Sequence, residues 1–152
     1  MLRNILAAIV GYIAMVAVLL ALFSLLWLTV GPSRAFEPGS WEVPVGWVIV
    51  QLVLGLVGAY IGGQACARVA HDARGATLLI GLVIVFGVVN ALIPPEMAAG
   101  PRPDDVSMMG ATAGALQPAW FNWLNPLVGV VGVWFGTRKL RAERVRRTAG
   151  SP

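Results

Sequence analysis

The stretch VPVGWVIVQLVLGLVGAYIGGQACA, residues 43–67, contains no Asp, Glu, Lys or Arg. A helix needs roughly 20 predominantly apolar residues to cross a bilayer, so this stretch is long enough to span one. Residues 5–33, 75–95 and 106–137 lack the same four residue types. The 11 basic and 7 acidic residues of the 152-residue chain lie between and beyond these four stretches. Hydrophobic residues make up 58% of the chain and charged residues 12%, where soluble domains carry about 25% charged. The pattern predicts an all-α transmembrane four-helix bundle, a single membrane domain over residues 1–152. Its helices are expected at about 5–30, 45–67, 76–93 and 118–137, with a basic cytoplasmic tail at 138–152.

The first stretch has one competing reading. Arg3 precedes it, as a basic residue precedes a secretory signal. Signal cores run about 7–15 residues and end at a small-residue cleavage site, whereas this one continues to Val30 and meets Thr29-Val30-Gly31-Pro32. It reads as the first spanning helix. With Cys66 the sole cysteine, no intramolecular disulfide is available, which excludes membrane disulfide carriers built on cysteine pairs.

Basic residues next to spanning helices concentrate on the cytoplasmic side. Arg3, Arg68, Arg74, Arg138, Lys139, Arg141, Arg144, Arg146 and Arg147 fall on one side, and Arg34 and Arg102 on the other, nine against two of the 11. Both termini are therefore expected in the cytoplasm, in a cell membrane crossed several times. Trp27, Trp41, Trp47, Trp120 and Trp123 fall near the outer helix ends, where indole rings favour the headgroup boundary. The tail residues Arg138, Lys139, Arg141, Arg144, Arg146 and Arg147 form a juxtamembrane cluster that attracts anionic lipid headgroups, by about 1 kcal/mol per cation near the surface. Nucleic acid is not expected as a partner, because the tail lacks a folded basic module or interleaved aromatics.

Lipid tails are as apolar as leucine, so helices associate in membranes through small residues that let backbones approach. Ala7, Gly11, Ala14, Ala17, Ala21 and Ser24 recur at steps of three or four and predict such a face on the first helix. Ile9, Leu20, Phe23 and Leu26 would face lipid. Gly55, Gly58 and Gly62 mark the packing face of the second helix, and Gly129, Gly132 and Gly136 that of the last. The two triplets align at one offset, which also matches Pro44 with Pro118, Gln51 with Asn125 and Tyr60 with Trp134. Two repeated helical hairpins related by an axis along the membrane normal would produce this match. A chain rich in Gly and Val produces it equally well.

No ionisable side chain lies within the predicted spans, whereas coupled transporters, proton relays and voltage sensors place one there. Amides remain instead: Gln51, Asn90, Asn122 and Asn125, all in the outer half. They can line a polar cavity open to the outer face, or they can simply join helices by hydrogen bonds worth ~0.6 kcal/mol on average. The connection 93–117, rich in Pro with Asp104-Asp105, reads as irregular, and disorder is expected in it. Its Met108-Met109-Gly110-Ala111 portion lies on the membrane surface or starts the last helix early. His71, the sole histidine, has no second ligand nearby for a metal. Cys66 reads as a small packing residue; palmitoylation is the alternative.

With Met1-Leu-Arg-Asn-Ile-Leu-Ala at its start and Ala35-Phe-Glu-Pro-Gly-Ser40 in its first outer loop, the chain resembles the many small, uncharacterised four-helix membrane proteins of bacteria. The resemblance covers layout, carries no functional motif, and implies a cytoplasmic-membrane location. The expected role is that of a non-enzymatic structural or accessory membrane protein, without cofactor or metal, associating with itself or a membrane protein partner through its glycine faces. The alternative is a small oligomeric transporter or channel with the amides along its path. An enzyme ranks third, since no nucleophile–base pair or metal set is visible.

Overall fold

The computed structural model describes residues 1–70, 72–93, 100–103 and 105–149, with the side chains of Pro32 and of 141–149 excepted. His71, Glu96 and Asp104 lie outside the described residues, as do the side chains of Arg141, Arg144, Arg146 and Arg147. The described chain forms six helices: α1 (Leu2–Val30), α2 (Pro32–Ala35), α3 (Val45–Val69), α4 (Ala73–Leu92), α5 (Met108–Gly114) and α6 (Ala119–Ala149). α1, α3 and α4 are each long and apolar enough to cross a membrane. α6 is longer, but its first half holds Asn122, Asn125 and Pro126, and beyond Thr137 it runs into the basic residues. The chain is therefore all-helical, with three helices of spanning character.

Local chemistry sets the boundaries. α1 stops at Gly31, whose φ of 72° suits a residue without Cβ and whose N–H donates to the Trp27 carbonyl at 2.9 Å. Pro44 precedes α3, its φ of −65° fixed by the ring. α4 starts three residues earlier than the apolar pattern predicts, because Asp72 caps it: the carboxylate accepts from the Arg74 N–H at 2.8 Å. The same oxygen accepts from Asn4 Nδ2 at 2.8 Å, and Arg3 Nε donates to the Val69 carbonyl at 2.9 Å. The start of α1 is thereby clasped to the turn between α3 and α4. Asp72→Ala removes a cap and this cross-helix bond, and is expected to lower stability by roughly 1–3 kcal/mol, read as a fall in the thermal midpoint of the detergent-solubilised protein.

The four long helices pack in the cyclic order α1, α3, α6, α4. The α3–α6 contact is the most extensive, followed by α1–α3, α4–α6 and α1–α4; α3 and α4, although consecutive in the chain, touch only slightly. Residue pairing gives directions. Gly55 approaches Asn125 and Gly136 approaches Tyr60, so α3 and α6 run parallel; Gly58 meets Leu19 and Gly62 meets Gly11, so α1 and α3 run antiparallel. One end of the molecule carries the N-terminus, the turn at 70–72 and the basic stretch of α6. The other, the loop end, carries α2, α5 and the long connections.

This order bears on the two-hairpin match. A two-fold rotation along the packed helices exchanges diagonal partners, and the diagonals here, α1 with α6 and α3 with α4, are antiparallel. Such a rotation cannot lay one hairpin on the other. The aligned glycines also differ in partner: Gly58 packs on α1, but Gly132 packs on α3 rather than on α4.

Two apolar cores divide the interior. Ala7, Met15, Ala59, Cys66, Leu79 and Val133 fill the terminal half. Ala35, Phe36, Val43, Val48, Ala111 and Phe121 fill the loop end. The small-residue stripe of α1 packs only over its first half, where Ala7 and Gly11 are buried; Ala17 and Ala21 are exposed. On its other face Ile9 and Leu20 are exposed, as expected, while Phe23 and Leu26 are half-buried, and Leu20 and Phe23 also border an open cavity.

Candidate functional site

The predicted packing glycines close helix contacts inside the chain. A Cβ at Gly58 would lie 2.8 Å from Leu19 Cγ, at Gly62 2.7 Å from the Gly11 carbonyl, at Gly129 2.8 Å from Val83 Cγ1 and at Gly132 2.6 Å from Ala59 Cβ; at Gly136 it would meet the Tyr60 carbonyl oxygen. Side chains do not approach this closely, so these five positions exclude anything larger than glycine unless a neighbour moves. Gly55 is different: a Cβ there would be 3.5 Å from Asn125 Oδ1, an ordinary contact. Gly11, Gly63 and Gly87 share the close-contact role, the last against the Pro126 ring. Gly58, Gly62, Gly132 and Gly136 are buried among α1, α3 and α6. Their faces are occupied by neighbouring helices of the same chain.

The amides belong to a different place. Gln51 and Asn125 each lie six residues past the first residue of their helix, about 9 Å along the axis at ~1.5 Å per residue. Asn122 is three residues in, and Asn90 sits two residues before the end of α4. All four therefore fall within the loop-end third of their helices. They line a single cavity of about 610 Å³, together with Gln117, which precedes α6. Gln117 Nε2 donates to Gln51 Oε1 at 3.2 Å. Among the described residues, the Asn90, Asn122 and Asn125 side chains make no hydrogen bond to protein; Asn122 is half-buried and Asn90 and Asn125 are exposed, so the cavity they line is open on their side. Among the described residues, none of the four predicted amides hydrogen-bonds to another helix; Gln51 instead bonds to Gln117 in the segment before α6.

Apart from Thr112, whose hydroxyl donates to the Met108 carbonyl at 2.8 Å, the remaining described wall is apolar. α1 contributes Leu19, Leu20, Phe23 and Trp27, α3 contributes Trp47, and α6 contributes Phe121. Ala35, Phe36, Met108 and Ala111 close it toward the loops. Among the described residues, no Asp, Glu, Lys, Arg or His lines it. Toward the terminal half the cavity meets the closed glycine contacts and the first apolar core.

The described part of the 93–117 connection carries regular structure over the cavity, as its roof. Met108 and its neighbours form the separate helix α5, capped by Ser107 Oγ accepting from the Gly110 N–H at 3.2 Å. Four residues then leave it before α6 begins. The two long connections pair through Leu116 N–H to the Trp41 carbonyl at 2.8 Å and Val43 N–H to the Leu116 carbonyl at 3.2 Å. Trp41 lies against Gly114, and its Nε1 donates to the Gly100 carbonyl at 3.2 Å. Arg102, only 7% exposed, donates from Nε to the Ser40 carbonyl at 3.2 Å and from one terminal nitrogen to the Pro103 carbonyl at 3.0 Å. Its guanidinium stands 5.2 Å above the Phe36 ring centroid. A charge read from sequence as an orientation marker is thus a buried tie across the roof.

Sequence pattern missed Gln117, the α5 residues and Arg102, because each sits in a segment with Pro and Gly spacing typical of loops. It also missed the aromatic wall of α1, which looks like any apolar helix face. No protein-family model matches the chain, and neither curated proteins nor solved structures show a significant match to it.

Proposed function

We propose that this chain is a four-span integral membrane protein, a non-enzymatic accessory protein that holds a small molecule in its loop-end cavity without transforming it. α6 serves as the fourth span, packed along α3 and α4. The nine-to-two distribution of cations supports termini in the cytoplasm and a cavity in the outer half of a cell membrane. Arg138, stacked 4.9 Å from the Trp134 ring centroid, begins the cluster that meets anionic headgroups with Lys139 and the tail arginines. The observation carrying the reading is the convergence of five amides on one cavity whose described lining carries no charge. Three of them have no protein partner among the described residues, and closed glycine contacts lie toward the terminal half.

The transporter alternative keeps this cavity but requires a path through the terminal core, where Gly63 and Val133 pack backbone to backbone. Closure there favours holding over passage. The test is native mass spectrometry of the protein extracted from its membranes in mild detergent. A one-to-one small-molecule adduct is expected in the unaltered protein and is expected to vanish in Gly55→Trp, which projects an indole into the cavity. An unaltered protein without adduct, or an adduct retained by a folded Gly55→Trp protein, would count against the proposal. Flux of the adduct molecule across liposomes bearing the protein would favour the transporter instead.

A further inference from the structure

We infer that the occupant of the loop-end cavity is an uncharged amphiphile, with a hydroxyl or carbonyl head held by the amides and an apolar portion against α1; this rests on the cavity reading above. The cavity wall is two-sided. Every residue that α1 contributes is large and apolar or aromatic: Leu19, Leu20, Phe23 and Trp27. The amides come from the other side, from α3, α4, α6 and the segment before α6.

Each chemical class of occupant meets a different obstacle in this wall. A charged head would meet no counter-charge among the described residues, whose lining side chains carry none. Burying an uncompensated charge is strongly unfavourable. Arg102 does not relieve this, because its guanidinium is committed to the Ser40 and Pro103 carbonyls and to Phe36. A purely apolar occupant would leave the donors and acceptors of Asn90, Asn122 and Asn125 without partners at the moment it displaced water. A strongly polar solute would forgo the aromatic and aliphatic wall. Amides both donate and accept, so they suit a hydroxyl or carbonyl, which satisfies either role without charge. The volume of about 610 Å³ falls within the range of small-molecule sites, ~300–1,000 Å³.

The test holds the chain constant and varies the head. 1-Monooleoylglycerol, its phosphate monoester and oleyltrimethylammonium are titrated into the full-length protein in nanodiscs, with Trp27 and Trp47 fluorescence and native mass spectrometry as readouts. Saturable one-to-one binding is expected for monooleoylglycerol, with both charged probes at least tenfold weaker. The Asn122→Leu/Asn125→Leu double variant is expected to weaken monooleoylglycerol binding at least tenfold, and Asn122→Ser/Asn125→Ser to retain most of it. Circular dichroism verifies that each variant is folded. Equal or tighter binding of a charged probe that Gly55→Trp abolishes would overturn the uncharged class and leave the cavity reading standing. Failure of all three probes, or binding unchanged by the double leucine variant, would overturn the inference, while the native adduct judges the cavity reading separately.

Discussion

Leucine at Gly63 is expected to abolish folding. A Cβ alone at this position would lie 2.6 Å from the Val133 carbonyl oxygen and 3.0 Å from Val133 Cα. These are backbone atoms of a helix held on two sides, and they cannot swing aside as the tip of a flexible side chain can. Overpacking by small groups already costs about 1–3 kcal/mol, and total stability is only ~5–15 kcal/mol. Gly63→Ala is therefore expected to lose roughly 1–3 kcal/mol, and Gly63→Leu to yield no folded protein, measured as monodisperse recovery on size exclusion in mild detergent. Gly81 supplies the control. It lies inside α4, and nothing stands within 4 Å of the place a methyl group would take there, so Gly81→Ala should be neutral or stabilising by up to about 1 kcal/mol. Equal behaviour of Gly63→Ala and Gly81→Ala would mean that the α3–α6 approach is looser than described.

Removing the Arg102 guanidinium should open the roof without unfolding the helices beneath it. Hydrogen bonds to a charged group contribute ~1.5–3 kcal/mol each, and a ring contact adds about 0.5–2 kcal/mol. Arg102 makes two such bonds and stacks on Phe36, joining the segment around Ser40 to the segment before α5. Arg102→Ala is expected to raise amide hydrogen exchange across residues 36–43 and 107–117 by tenfold or more, with α1 and α3 protected as before. Arg102→Lys should rescue only in part, since an ammonium lacks the planar fork that reaches both carbonyls and covers the ring. Unchanged exchange in Arg102→Ala would show that the Trp41–Leu116 pairing holds the roof by itself.

Three of the expected spans and the packing glycines were legible in the sequence for the same reason. Absence of charge over some twenty residues has few physical meanings, and glycine at helical spacing in an apolar helix has few uses besides close approach. The amides were legible as a group because polar side chains inside predicted spans stand out against their surroundings. That they share one cavity depends on which helices are neighbours, and this the sequence leaves open. The match between residues 55–62 and 129–136 suggested equivalent partners, but Gly58 found α1 and Gly132 found α3. The roof was hardest to read. Arg102 and Gln117 are ordinary loop residues until the Ser40 carbonyl and Gln51 are placed opposite them.

The cyclic order of the helices also constrains how the chain is assembled during synthesis. α3 and α4 emerge in succession, yet they lie across the diagonal and offer each other little surface. α3 can dock early on α1, and α4 can dock along α1, but the largest helix contact in the molecule waits for α6, the last to be made. Until then Gly63 and Ala59 have no neighbour on that side, and the amide wall lacks Asn122 and Asn125. A ribosome that stops before residue 119 leaves a three-helix intermediate with an open seam, the kind of surface that membrane quality control recognises and that a neighbouring nascent copy can fill by exchange of its own α6.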